Sequence, residues 1–156
     1  MSIFKNKTFQ IILSFILIII VAVLGSIFVN IGMPFFNSLT KPSQWISNIL
    51  IPIVWTIIYG LFAIVNFLWI KNDQFSLKII VLMLINGFLN VLWTLCFFAL
   101  KLLLFGNIVI ILNLILGYVL ILQILKRNKL YGYLLSIYPV WLSIATTLNL
   151  ALWIIN

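Results

Sequence analysis

Asn86, Asn90, Trp93 and Phe97 are the residues of this chain whose types and spacing could do chemistry. They recur at i, i+4, i+7 and i+11, so on a helix they share one stripe. The stripe sets two carboxamides and two aromatic rings inside an almost uncharged apolar run. A carboxamide both donates and accepts hydrogen bonds, and a large ring stacks on a flat apolar group. The chemistry on offer is therefore recognition, not proton transfer. A carboxamide costs free energy in hydrocarbon unless it finds a partner. The stripe must then face other helices or a cavity, and such a cavity suits a flat, mostly apolar ligand.

Two further seams have the same character. Trp55, Tyr59, Phe62, Asn66 and Trp69 are separated by 4, 3, 4 and 3 residues, with Gly60 and Ala63 beside them to permit close helix approach. Tyr138, Trp141, Ala145 and Asn149 form the other, followed by Thr146 and Thr147. Pro139 lies within it, where it removes a backbone donor, frees a carbonyl near Leu135 and predicts a kink. Ala22 and Ser26 show small-xxx-small spacing, whereas Asn113, Gly117 and Tyr118 form a weaker pattern. The helix carrying the latter is expected to face lipid or a second copy. Trp55, Trp93 and Trp141 lie deep in their segments and are expected to line a cavity. Trp45, Trp69, Tyr131, Tyr133 and Trp153 lie near segment ends, where aromatic rings anchor at the membrane interface. Asn66 and Asn113 read either as ties between helices or as part of a pocket. Cys96 reads as a small packing residue.

The elements that position these residues follow from composition. The chain has 156 residues, 66% of them hydrophobic and 6% charged, with a mean hydropathy of +1.37. Too few polar residues remain to cover a water-soluble surface, so the solvent for most of the chain is lipid. The net charge of +8 sets nine Lys and Arg against one acid, Asp73. These cations fall between apolar runs, the membrane-orientation pattern, and not on a face that would hold nucleic acid. The single Cys96 excludes an intrachain disulfide, and histidine is absent altogether. Paired-carboxylate chemistry and a phosphate-binding glycine loop are missing too, which argues against a hydrolase or an NTPase.

Five runs are long enough to cross a bilayer, which takes roughly 20 helical residues. They are 9–29, 46–70, 79–100, 102–125 and 130–155, and predict a single all-α membrane domain over 1–156 built as a five-transmembrane-helix bundle. The first run is longer than a signal-peptide core and is expected to be a retained helix. Lys5, Lys7, Lys71, Lys78, Lys126, Arg127 and Lys129 fall on the N-terminal side, and only Lys41 and Lys101 on the other. That bias predicts a cytoplasmic N-terminus and a C-terminus outside. The longest connection, 30–45, is then extracytoplasmic and lid-like.

Four stretches resemble the tryptophan-rich sensory protein family, also called translocator proteins or peripheral-type benzodiazepine receptors (TspO/MBR). They are Leu39-Thr40-Lys41-Pro42; Val54-Trp55-Thr56-Ile57-Ile58-Tyr59-Gly60; Asn86 with Leu89-Asn90-Val91-Leu92-Trp93 and Phe97-Phe98; and Tyr138, Trp141, Ala145-Thr146 and Leu148-Asn149. Their order and spacing match, and the likeness runs from about Phe36 onward. The chain departs from the family in lacking its W-x-P-P proline pair after Lys41-Pro42. It places Pro139 two positions later than usual and has no sterol-contact tyrosine and basic residue near residue 156, so sterol binding is not carried over.

The resemblance implies a five-helix bundle, commonly a homodimer, that binds porphyrins such as protoporphyrin IX and benzodiazepine-site ligands. Carried over, the pocket comprises Trp55, Asn90, Trp93, Phe97, Trp141, Ala145 and Asn149. No catalytic or metal-ligating residue and no obligatory cofactor is expected. The partners are a porphyrin or another flat lipophilic molecule and the lipid bilayer. Lys41 could pair with a porphyrin propionate at the wet rim, and without histidine a metal-free porphyrin is preferred over tightly ligated haem. Two alternatives stay open: light- and oxygen-dependent degradation of the porphyrin with tryptophan assistance, and transport of tetrapyrroles or other lipophilic ligands.

Overall fold

The computed structural model describes residues 6–43, 46–72 and 76–156. Trp45, expected at the interface, and the charged Lys5 and Asp73 lie outside the described residues. The helices are α1 (Lys7–Ser38), α2 (Leu50–Lys71), α3 (Leu77–Thr94), α4 (Leu103–Arg127), α5 (Lys129–Leu135) and α6 (Ile137–Ile155). A π-helical turn, Leu95–Ala99, continues α3. With α5 and α6 taken as one span, five helices are long and apolar enough to cross a membrane. The protein is an all-α, five-helix membrane bundle. Helices alone satisfy every backbone group from within the segment, as hydrocarbon requires.

The helices form a closed ring. α1 packs between α2 and α3, α3 packs on α4, α4 on α5 and α6, and these close onto α2. The three seams of amides and rings therefore face one interior. The ring also corrects the reading of α4 as mainly lipid- or dimer-facing. Its stripe Gly106, Asn107, Ile110, Asn113, Gly117, Leu120, Ile121 and Ile124 is buried against its neighbours. Two glycines and two asparagines on one face let backbones approach and bond, which is what drives helix association in lipid.

α1 begins at Asn6, whose Oδ1 accepts from Thr8 N at 2.9 Å and Phe9 N at 3.4 Å. It runs on to Ser38, so residues 30–38 are helix where a loop over 30–45 was expected. Gly32 and Pro34 read locally as turn signals, but packing overrides them. A Cβ on Gly32 would collide with the backbone carbonyl of Phe98, so only glycine lets α1 lie against the π-helical turn. Pro34 lies inside this helix and forfeits one backbone donor.

The last span is interrupted at Ser136, between α5 and α6. Pro139 cannot donate to Leu135, and the chain instead closes a tighter turn. There Ser136 N donates to Tyr133 O at 3.2 Å and Ser136 Oγ to the same oxygen at 2.7 Å. Trp69 and Tyr131 differ from their expected role as interface anchors. Both are buried, edge to face with centroids 5.9 Å apart, in a second core cluster with Val65 and Ile79. Tyr133 and Trp153 are exposed.

Candidate functional site

Trp55, Trp93, Phe97, Trp141 and Ala145 meet in one apolar cluster. α2 supplies Trp55, α3 and its π-helical turn supply Trp93 and Phe97, and α6 supplies Trp141 and Ala145. The Trp55 and Trp93 rings lie 6.1 Å apart at 35°. Trp55 also stacks on Tyr59 at 5.6 Å and meets the edge of Tyr138 at 6.4 Å. These are ordinary attractive ring distances. Phe97 is fully buried and lies under Gly106, where an added Cβ would stand 2.7 Å from the Phe97 Cβ. The π-helical turn, with Leu100 N bonded to Leu95 O at 2.9 Å, sets Phe97 and Phe98 side by side at 5.1 Å. Such turns commonly mark functional sites.

The polar groups of the site divide into satisfied and unsatisfied ones. Asn90 Nδ2 donates to Tyr59 OH at 3.0 Å, while Asn90 Oδ1 has no partner. Trp93 Nε1, Trp141 Nε1 and Asn149 Nδ2 are likewise buried without one. Asn86, by contrast, ties helices together. Its Nδ2 donates to Leu82 O at 2.8 Å, and its Oδ1 accepts from Tyr138 OH at 3.3 Å. The same hydroxyl reaches Asn113 Oδ1 at 3.1 Å, so Tyr138 holds α3, α4 and α6 at one point. Asn66 is also a tie, donating to Ser14 Oγ on α1 at 3.0 Å.

At the other end of the cluster, Lys41 donates to Phe36 O at 3.2 Å and places its ammonium 4.8 Å above the Phe36 ring. A cation here also complements the C-terminal end of α1. Asn156 clasps the same connection, accepting from Thr40 N at 2.8 Å and donating to Thr40 O at 3.0 Å.

Four residues outside the expected pocket border this cluster. The Phe36 and Phe98 rings lie tilted to each other with centroids 5.4 Å apart, and Phe98 meets Trp93 edge-on. Tyr59 partners Asn90. Asn107 on α4 donates to Asn149 O at 3.3 Å and leaves its own Oδ1 without a partner. Asn107 reads in sequence as part of the break after Lys101. Its spacing from Ile110, Asn113 and Gly117 was the signal that it belongs to the buried face.

A bundle of five apolar helices whose amides and indoles converge on one interior cluster agrees with what two comparisons find. A family model described as the TspO/MBR family matches residues 14–154. Protein CrtK of Rhodobacter capsulatus is 29% identical over 125 residues, 78% of this chain and 78% of that protein. The match takes in all three seams, and the chain belongs to the TspO/MBR family.

Proposed function

We propose that the protein is a membrane receptor or sensor that binds porphyrins and benzodiazepine-site ligands at the Trp55–Trp93–Trp141 cluster. One observation carries the reading. Asn90 Oδ1, Trp93 Nε1, Trp141 Nε1 and Asn149 Nδ2 are buried and unpartnered around a single group of rings. A buried polar atom without a partner costs about 1–3 kcal/mol, so a ligand that supplies partners recovers that cost. Indole N–H and amide N–H donors suit carbonyl or carboxylate acceptors, and the rings suit a flat macrocycle. Trp55, half-buried on α2, is the least buried of the three indoles. Lys41 would meet a propionate at the rim once it leaves Phe36 O.

The protein is an integral membrane protein, and the excess of cations on one side favours a cytoplasmic N-terminus. A homodimer is the family's common form and is proposed for this chain. Histidine is absent from the whole sequence, so haem iron would find no imidazole.

The test is an absorbance titration of the full chain in detergent with protoporphyrin IX and with haem. Protoporphyrin is expected to saturate one site, and Asn90→Leu to weaken it by about tenfold, worth about 1.4 kcal/mol. A tight six-coordinate haem spectrum, or an unchanged titration in Asn90→Leu, would contradict the reading. The chain of contacts Trp93–Trp55–Tyr59 favours a second reading, light- and oxygen-dependent degradation of the bound porphyrin, because these oxidisable rings lie together in the proposed pocket. Illuminated and dark samples of wild type and Trp55→Phe separate the two. Loss of porphyrin absorbance only in light, slowed in Trp55→Phe, supports degradation.

A further inference from the structure

The bundle holds a second cavity, which opens toward lipid beside the aromatic cluster and shares Tyr59, Asn90 and Tyr138 with it. A half-open cleft of about 590 Å³ lies between α1, α2 and α3, a volume within the range that holds small ligands. It runs along α1 from Gln10 to Val21, about 16 Å at 1.5 Å per residue. Its rim is exposed at Leu13 and Leu17 on α1 and Leu84 on α3, the surfaces that lipid covers. Among the described residues, no charged side chain lines it. Its inner end is polar, because Tyr59 and Asn90 share its wall with Asn86 and Tyr138.

The polar end has a specific hydrogen-bonding signature. Tyr59 OH accepts from Asn90 Nδ2, so the phenol keeps its own proton to give. Asn90 Oδ1, on a residue only 6% exposed, has no donor. A single incoming group can therefore accept from Tyr59 and donate to Asn90. A hydroxyl does both with a single oxygen, a carboxylate cannot donate, and an ammonium cannot accept. The apolar length of the cleft takes the chain behind that hydroxyl. Asn66 and Ser14, which also line the cleft, are already bonded to each other across it.

We propose that this cleft is a binding site for an uncharged, long-chain membrane lipid with a free hydroxyl, of the long-chain alcohol or diacylglycerol class. The chain lies along α1 and α3, and the hydroxyl sits between Tyr59 and Asn90. Such a lipid would also close the gap in helix packing beneath α1.

The experiment uses the full chain in lipid nanodiscs and a long-chain alcohol bearing a mid-chain diazirine. Its methyl ether and the carboxylic acid of equal chain length serve as matched probes. The alcohol is expected to label Leu17, Val21 and Met83, about tenfold more strongly than either matched probe, as expected for about 1.4 kcal/mol of added affinity. Met83→Trp and Leu17→Trp, which fill the cleft from opposite walls, should each abolish that label while the variants still bind protoporphyrin. A label spread evenly over lipid-facing residues such as Phe88 and Ile115 would overturn the proposal. Equal labelling by the ether or the acid, or labelling that survives both cleft-filling variants, would overturn it too.

Discussion

The two ends of the bundle are built from the same apolar alphabet and pack differently. Toward the connection between α1 and α2, α1 is drawn against the π-helical turn at Gly32, and Phe36, Phe97, Phe98, Trp55 and Trp93 fill the interior ring against ring. Toward Lys7, α1 stands off from α2 and α3 over the cleft and is held by discrete hydrogen bonds. Lys7 Nζ reaches Lys71 O at 3.2 Å, and Asn66 reaches Ser14. Lipid tails are as apolar as leucine, so a stretch of Ile, Leu and Val gains nothing by leaving them for another helix. Association needs a backbone that can come close or a polar group that must be paired. The first end has both, and the second has Ser14 and Ala22 in a long aliphatic run.

The sharpest way to break this contrast is a substitution of one glycine at each end. Gly32→Leu must push α1 off the backbone of Phe98 and is expected to cost about 3 kcal/mol, read as a lowered Tm in detergent. Gly87→Ala places its Cβ 3.1 Å from Val21 Cγ2 beside the open cleft, and should change stability by less than about 0.5 kcal/mol. Equal losses in the two variants would mean that the ends do not differ as described.

Tyr138→Phe comes next. Its hydroxyl bonds both Asn86 and Asn113, and its loss leaves two buried amide oxygens without that donor. Measured polar contacts between membrane helices average about 0.6 kcal/mol and reach about 1.7, so a loss of about 1 kcal/mol is expected. Chemical denaturation in mixed micelles measures it, and full stability in Tyr138→Phe would remove the three-helix tie from the account. The smallest effect belongs to Asn156→Ala, which frees an exposed connection. It is expected to cost about 0.5 kcal/mol and to speed hydrogen exchange at the Thr40 amide. Exchange that stays slow would show that Lys41 and Phe36 hold the connection by themselves.

Much of the site was legible because a polar or aromatic residue in a membrane span must be explained. The spacing of Asn90, Trp93 and Phe97, and of Trp141, Ala145 and Asn149, placed each set on one face, and the faces do converge. Three things were not legible. The extension of α1 through Pro34 depends on Gly32 meeting Phe98, a contact between residues far apart in the chain. Trp69 and Tyr131 sit at span ends, where position alone does not tell burial against a partner from contact with lipid. The buried face of α4 was present in the spacing of its glycines and asparagines, but small residues advertise a face less loudly than tryptophans do. The cleft beneath α1 left no sequence signal, since it is a place where packing residues are missing.

The central claim is that the converging seams form the ligand site. Quenching of tryptophan fluorescence by protoporphyrin IX tests it most directly, in wild type, in Trp141→Ala and in Trp153→Phe as an exposed control. Trp141→Ala is expected to weaken binding by about tenfold or more, worth about 1.4 kcal/mol, with Trp153→Phe unchanged. Equal affinity in wild type and Trp141→Ala would contradict the account.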